Sequence, residues 1–190
     1  MQIVNNPNNS EKVGKELDDL FISLDELSKE ERLLSLIRGG EKQTVEFKQT
    51  LSLNVATNQK DSKMELMVLK TICGFLNTEG GVLFVGVKDT GDICGIEKSL
   101  FPSNDKFLLH FKNLLKDQIG EKFYTLITYD LEKLLDKDLL VVKCQKSKEP
   151  IYLGKDGTFY VRSNPSTDEL KGKDLVEYVK EHFKHLKDNN

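Results

Sequence analysis

The stretch from Gly74 to Gly95 constrains this chain more than any other. Its centre, Val82-Leu83-Phe84-Val85-Gly86-Val87, is a short apolar run bounded on both sides by glycine-rich turns, the pattern of a buried strand. Ahead of it, Met64, Met67, Val68, Ile72 and Phe75 recur at roughly helical spacing, and Asn77-Thr78-Glu79-Gly80-Gly81 is a helix-stopping turn. The predicted centre is therefore a helix, a tight glycine turn, a strand, and then a turn that carries Asp89 and Asp92.

The flanks build an α+β protein around that centre. Residues 1–10 are polar and predict a disordered tail. From Glu11, residues Val13, Leu17, Leu20, Phe21, Leu24 and Leu27 share one helical face. Ser28 to Glu31 has the capping-box pattern, so a second helix is expected to bury Leu33, Leu34, Leu36 and Ile37 and stop at Gly39-Gly40. This hairpin, 11–39, reads either as an extra layer over the main core or as a dimerisation arm. The main domain is then 40–186.

Within that domain Thr44 to Lys48 alternates weakly and predicts a short strand, with Glu46 and Lys48 on one face and Val45 and Phe47 on the other. Asn54 to Lys63 predicts a loop whose Lys60 and Lys63 are solvated. A helix is expected over Asn104 to Ile119, and His110 on it reads as a packed or half-exposed side chain. Strands are expected at Tyr124 to Tyr129 and Asp138 to Cys144, with a hairpin or short helical turn between them. Pro150 to Arg162 gives the strongest hairpin signal, because glycine and aspartate separate two β-rich runs. Ser166 or Thr167 is expected to cap a last helix that uses Leu170, Leu175, Val176, Val179 and Phe183, before a frayed tail over 184–190. Late consecutive strands joined by short turns argue for a mixed sheet flanked by helices.

Composition narrows the chemistry. With 28 Lys and Arg against 31 Asp and Glu, the formal net charge is −3, so any surface attractive to nucleic acid has to be local. Cys73, Cys94 and Cys144 are far apart and no histidine is spaced for zinc, which argues against a disulfide framework or a structural zinc site and fits a cytoplasmic protein. No apolar run approaches the roughly 20 residues of a membrane helix, and the start lacks the regions of a signal peptide. There is no Gly-x-x-x-x-Gly-Lys-Ser/Thr phosphate loop. Carboxylates remain: Glu41 and Glu46 flank the first strand and Asp89 leaves the central one. Should those strands be neighbours, the three can converge at one sheet edge and hold Mg2+ or Mn2+ through oxygen, as a phosphodiester hydrolase requires. The alternative is that they are solvated.

Three segments, Gly40 to Lys48, Ile72 to Asp89 and Phe159 to Ser163, together resemble the Schlafen AlbA-type domain, in the right order and over about residues 33 to 183. The resemblance implies a compact fold that meets nucleic acid. In the vertebrate nuclease branch it implies a metal-dependent endoribonuclease acting on transfer and ribosomal RNA, with the catalytic and metal-binding positions falling here on Glu41, Glu46 and Asp89. It places Lys48 and Arg162 as cations that contact phosphates, although Lys48 can equally pair with Glu46 and Arg162 can brace the sheet. The family's usual Arg-Ser-Gly-Asn segment is here Arg162-Ser163-Asn164-Pro165, which stiffens that loop. Vertebrate Schlafens join two lobes into a channel, so one lobe would need a homodimer to build a comparable groove. Three functions follow as expectations: an endoribonuclease, with RNA a better candidate than DNA; a non-catalytic nucleic-acid-binding module; and a regulator that binds ATP.

Overall fold

The computed structural model describes residues 29–183. The chain divides into two compact units, Met1–Gly39 and Gly40–Asn190. The expected tail over 1–10, the helix from Glu11, the Ser28 cap and the fraying over 184–190 lie outside the described residues. Helix α1, residues 29–38, has Leu33 and Ile37 buried, four positions apart on one face, with Leu34 and Leu36 half-buried. It stops at Gly39, whose amide bonds Ser35 O at 3.0 Å.

The second unit is built around α2 (Ser62–Asn77). The helix starts two residues before the apolar pattern because Asp61 caps it, its carboxylate accepting from Lys63 N at 2.9 Å. A four-stranded mixed sheet has the order β1-β4-β6-β5, with β1 (Val45–Lys48), β4 (Gly81–Val85), β5 (Ile127–Leu134) and β6 (Lys137–Cys144). Strands β1 and β4 run parallel, joined through α2, and the other pairs are antiparallel. One face of the sheet sends Leu83, Val85, Leu140 and Val142 into a core with Ile72, Phe75 and Leu76 of α2 and with Phe107, Phe111 and Leu115 of α3 (Asn104–Gln118). Each such side chain contributes about 1.5–3 kcal/mol by leaving water. A second sheet, β7 (Tyr152–Leu153), β8 (Thr158–Ser163) and β9 (Ser166–Leu170), also packs on α2, and a small hairpin pairs β2 (Leu53–Asn54) with β3 (Gln59–Lys60). The last helix is α4 (Gly172–His182).

Two glycines of the central stretch are dictated by close approach. A Cβ at Gly81 would lie 2.5 Å from the Phe75 ring and 2.8 Å from Thr44 O, so the turn from α2 into β4 leaves no room for a side chain. Gly74 lies within α2, where glycine costs about 1 kcal/mol relative to alanine. There β8 and β9 cross so near that a Cβ would sit 3.1 Å from Thr167 Cγ2 of β9 and 3.4 Å from the Val161 backbone of β8.

Three expectations need correction. Ser166 and Thr167 do not cap a helix: Ser166–Leu170 is strand β9, paired with β8 from Ser163↔Ser166 to Phe159↔Leu170, and α4 starts only at Gly172. The turn through Asn164 and a cis Pro165 returns the chain along β8, and ladder hydrogen bonds outweigh the local capping signal. Residues 121–126 form a 3-10 turn rather than the start of a strand, and β5 runs on to Leu134. Its hairpin with β6 closes on two residues, Leu135 and Asp136, at φ 47° and 60°. The hairpin is one of the two connections expected between these strands; its two-residue geometry normally selects Asn-Gly, so the exact turn position carried no signal. The expected loop over Asn54 to Lys63 contains the β2–β3 hairpin and the first residues of α2.

Candidate functional site at the β1 edge

Strand β1 is an edge strand, and its open side has to be satisfied. Glu41 does so locally. A tight bridge between Lys42 and Val45 turns the chain back, and the Glu41 carboxylate accepts from Phe47 N at 2.9 Å. The Lys48 ammonium donates to Phe47 O at 2.9 Å and pairs with Glu46. After β4, the amides of Gly86 and Val87 bond Lys48 O, which hooks the outgoing chain over the end of β1. The turn that follows, closed by Lys88 N to Asp92 O at 3.0 Å, carries Asp89 into solvent. Asp92 itself accepts from Thr90 Oγ1 at 2.8 Å within that turn.

Glu46 and Arg162 form the buried half of the site. Arg162 Nη1 stands 2.8 Å from Glu46 Oε2, with the arginine side chain fully buried. The contact is Coulombic rather than aligned, because Nη1 donates to Thr167 Oγ1 at 2.9 Å and no hydrogen points at Glu46 Oε2. Nη2 donates to Lys42 O at 3.0 Å and Nε to Gln43 O at 3.3 Å, while the guanidinium lies 5.0 Å from the Phe75 ring centre. Arg162 thus ties β8, α2 and the approach to β1 together. Of the two readings of Arg162, this arrangement supports the brace, its side chain buried and its donors turned to Thr167, Lys42 and Gln43.

The three carboxylates share a region without forming a cage. Burial pushes the Glu41 carboxyl above its ordinary value; the Phe47 amide pulls it back, nearby Glu46 pushes it up, Lys48 opposes, and Asp89 adds a further upward push. They therefore lie within electrostatic reach of one another. Yet among the described residues no group of three or more His, Cys, Asp and Glu side chains is placed to hold a metal ion. Glu41 is occupied by a backbone amide and Glu46 by two cations, so the donor set of this arrangement does not fit Mg2+ or Mn2+.

Beside Lys48 and Asp89 opens a groove of about 320 Å3 between the end of β1, the β2–β3 hairpin and the first turns of α2. Its polar rim includes Gln49 and Asn54, and its apolar wall includes Val55, Met64 and Met67. The groove and its supports escaped sequence reading. Glu97, buried, accepts from Leu51 N at 2.9 Å and from Ser52 N, and so fixes the loop behind the groove. Glu65 Oε1 accepts from Ser52 Oγ at 2.7 Å and lies 2.8 Å from His110 Nε2. Burial would raise the Glu65 carboxyl, but the bonds from Ser52 and His110, with Lys60 nearby, bring it below its ordinary value. His110 is thereby a half-buried partner of Glu65, and Lys60 stays largely exposed at 3.4 Å from the same carboxylate.

Fold and site define a small α+β domain with one ion-paired, closed strand edge and an open groove beside it. The chain belongs to the Schlafen AlbA_2 family, whose model, described as Schlafen, AlbA_2, matches residues 41–171. Membership supports a nucleic-acid-related function. Among solved structures, the DIP2311 protein from Corynebacterium diphtheriae is similar at 18% identity and a TM-score of 0.51, over 74% of this chain and 27% of that one. This likeness is one of fold, and the chain spans only about a quarter of that protein's length. The N-terminal domain of a protein from Nitrosomonas europaea, described as related to the ATP-dependent DNA helicase RecG, is 22% identical over 74% of this chain and 92% of that one, with a TM-score of 0.47. No curated protein matches the chain. Among the described residues no helix is long and apolar enough to cross a membrane.

Proposed function

We propose that the protein is a nucleic-acid-binding module that meets its ligand at the β1 edge, through Lys48 and the groove beside it. Family membership supports nucleic acid as the ligand. The observation that favours binding over hydrolysis is the state of Glu46, whose two oxygens face Lys48 and the buried Arg162. A carboxylate neutralised on both sides has little field left for a divalent ion. Lys48, partly open to solvent, is the cation at this edge that can meet a phosphate. RNA rather than DNA, and assembly of two lobes into one channel by a homodimer, are parts of this reading that come from the Schlafen resemblance. The test is fluorescence anisotropy with labelled RNA and DNA at two salt concentrations. Binding that weakens as salt rises, and weakens again in Lys48→Ala, is expected; no binding at low salt overturns the proposal.

A second reading, a metal-dependent endoribonuclease using Glu41, Glu46 and Asp89, comes from the Schlafen resemblance, and the arrangement of the three carboxylates, with no metal-holding group among the described residues, does not favour it. Incubation with structured RNA and Mn2+ decides it. Cleavage lost in both Glu46→Gln and Asp89→Asn supports hydrolysis, and an intact substrate removes it.

A further inference from the structure

We infer that strand β5 is a docking edge that takes on an additional strand from a partner protein, one that alternates basic and apolar side chains. Strands β1 and β5 are the two edges of the four-stranded sheet. The chain covers the first itself, the Glu41 carboxylate meeting the Phe47 amide, whereas no strand among the described residues pairs with the outer side of β5. That edge has the form that invites pairing. It runs for 8 residues without a proline or a glycine, and its register with β6 is unbroken from Ile127↔Cys144 to Leu134↔Lys137, so no bulge turns it away. Which backbone groups face outward follows from the ladder. Gln145 N donates to Leu126 O, which makes every second residue from Leu126 onward the one bonded to β6, and the turn at Leu135-Asp136 closes on a pair of the same set, Leu134↔Lys137. Tyr129, Leu131 and Lys133 therefore turn their N–H and C=O groups away from the sheet. The Leu131 amide meets a local acceptor, Asp130 Oδ1 at 2.8 Å, in an exposed contact that an incoming carbonyl can replace.

The two faces of this edge select the occupant. On the face towards α3, Tyr129 and Leu131 are half-buried against the core, the Tyr129 ring centre 4.9 Å from that of Phe111, so a neighbouring strand has apolar side chains to cover there. On the opposite face Thr128, Asp130 and Glu132 alternate along β5, and with Val141 and Lys143 of β6 they line a hollow of about 190 Å3. Lys143 stands across from Thr128, while the apolar Val141 and Leu139 stand across from Asp130 and Glu132. Charge pairs in a sheet form between directly opposite residues, so a strand laid on the outer side is favoured when it sets lysine or arginine against the two acids. Its intervening side chains then fall beside Tyr129 and Leu131 and have to be apolar. Main-chain bonds supply the hold, and the alternating side chains supply the choice of partner. A second copy of this chain is the poorer occupant, because two β5 strands paired antiparallel at their centres set acid against acid.

The probe is a labelled peptide of alternating lysine and valine, matched to the 8 residues of β5 and read by anisotropy with the full chain. It is expected to bind about tenfold more tightly than a peptide of the same composition with its lysines and valines in two blocks, the difference that one or two backbone hydrogen bonds supply. Glutamate in place of lysine is expected to abolish binding. Lys133→Pro removes an outward N–H and leaves the ladder to β6 in place, and is expected to weaken the alternating peptide about tenfold. The same change removes a positive charge, so weaker binding of a basic peptide reports the backbone and not the field. Asp130→Asn is expected to weaken it about threefold, the scale of one exposed ion pair. Thermal melting checks the folding of both variants, and slowed amide exchange at Tyr129 and Lys133 on adding the peptide gives the same answer with no substitution. Equal binding of the alternating and block peptides, undiminished binding in Lys133→Pro, or no binding of the alternating peptide overturns the inference. A concentration-dependent dimer that Lys133→Pro abolishes assigns the edge to a second copy and overturns the basic partner as well. Nucleic-acid binding, read at the opposite edge of the sheet, stands or falls separately.

Discussion

The β1 edge and the groove next to it are built from the same segments of sequence and have opposite characters. At the edge, Glu46 is enclosed by Lys48 and Arg162, and Arg162 spends its donors on Thr167, Lys42 and Gln43. In the groove, Asp89 and Met67 stand open to solvent. The edge is closed by its own ion pairs and hydrogen bonds, and the groove is left open. A charged residue inside a family motif is not thereby functional; the partners that folding supplies decide the matter.

The sharpest way to break this contrast is to remove the brace. Arg162→Met leaves Glu46 with Lys48 alone on one oxygen, the other buried without a cation, and two backbone carbonyls without donors, and is expected to cost about 3 kcal/mol in urea unfolding. The double variant with Glu46→Leu is expected to lose less than the sum of the two single changes, because the uncompensated charge is gone. Strict additivity would show that the two side chains are not coupled. Gly81→Ala comes next, at about 1–3 kcal/mol, since a Cβ there meets the Phe75 ring and Thr44 O; an unchanged unfolding midpoint would mean the turn into β4 has slack.

Two carboxylates predict opposite pH behaviour. The folded Glu41 carboxyl lies above its unfolded value near 4.5, so the native state holds that proton more tightly and stability falls as pH rises from about 4.5 through the folded pKa. Glu41→Gln, which keeps an acceptor for Phe47 N, is expected to be the more stable form above that window and equal to the parent below it. The folded Glu65 carboxyl lies below 4.5, so its contribution is present above that pH and is lost as pH falls through the folded pKa. Glu65→Gln should flatten the acid side of the stability profile. Denaturation midpoints measured from pH 3 to pH 8 check both signs. Smallest of all, Asp89→Asn should leave stability within about 0.5 kcal/mol of the parent, as befits an exposed unpaired group.

Much of the fold was legible because local and global signals agree. The apolar spacing of α2, the glycine turn and the buried strand β4 all point one way, and so do the glycines of the β7–β8 turn. The α+β class with a mixed sheet followed from them. Strand β9 was misread because Ser166-Thr167-Asp168-Glu169 carries a capping signal that only pairing with β8 can outweigh. A hairpin or short helical turn was expected ahead of β6, but its placement at Leu135-Asp136 was hidden because neither residue advertises a positive φ. At the site, sequence could bring Glu41, Glu46 and Asp89 to neighbouring strands but could not reveal their partners. The Arg162 brace joins residues far apart in the chain, and the groove depends on Glu97 and Glu65, which no motif marks.

The most direct measurement is a titration of labelled single-stranded RNA with the purified chain at low and moderate salt, in the presence of Mn2+, reading anisotropy and strand length together. Salt-sensitive binding of a strand that stays full-length is the predicted result. A strand that does not bind at low salt, or one that is cut by the parent but not by Glu46→Gln, would contradict it.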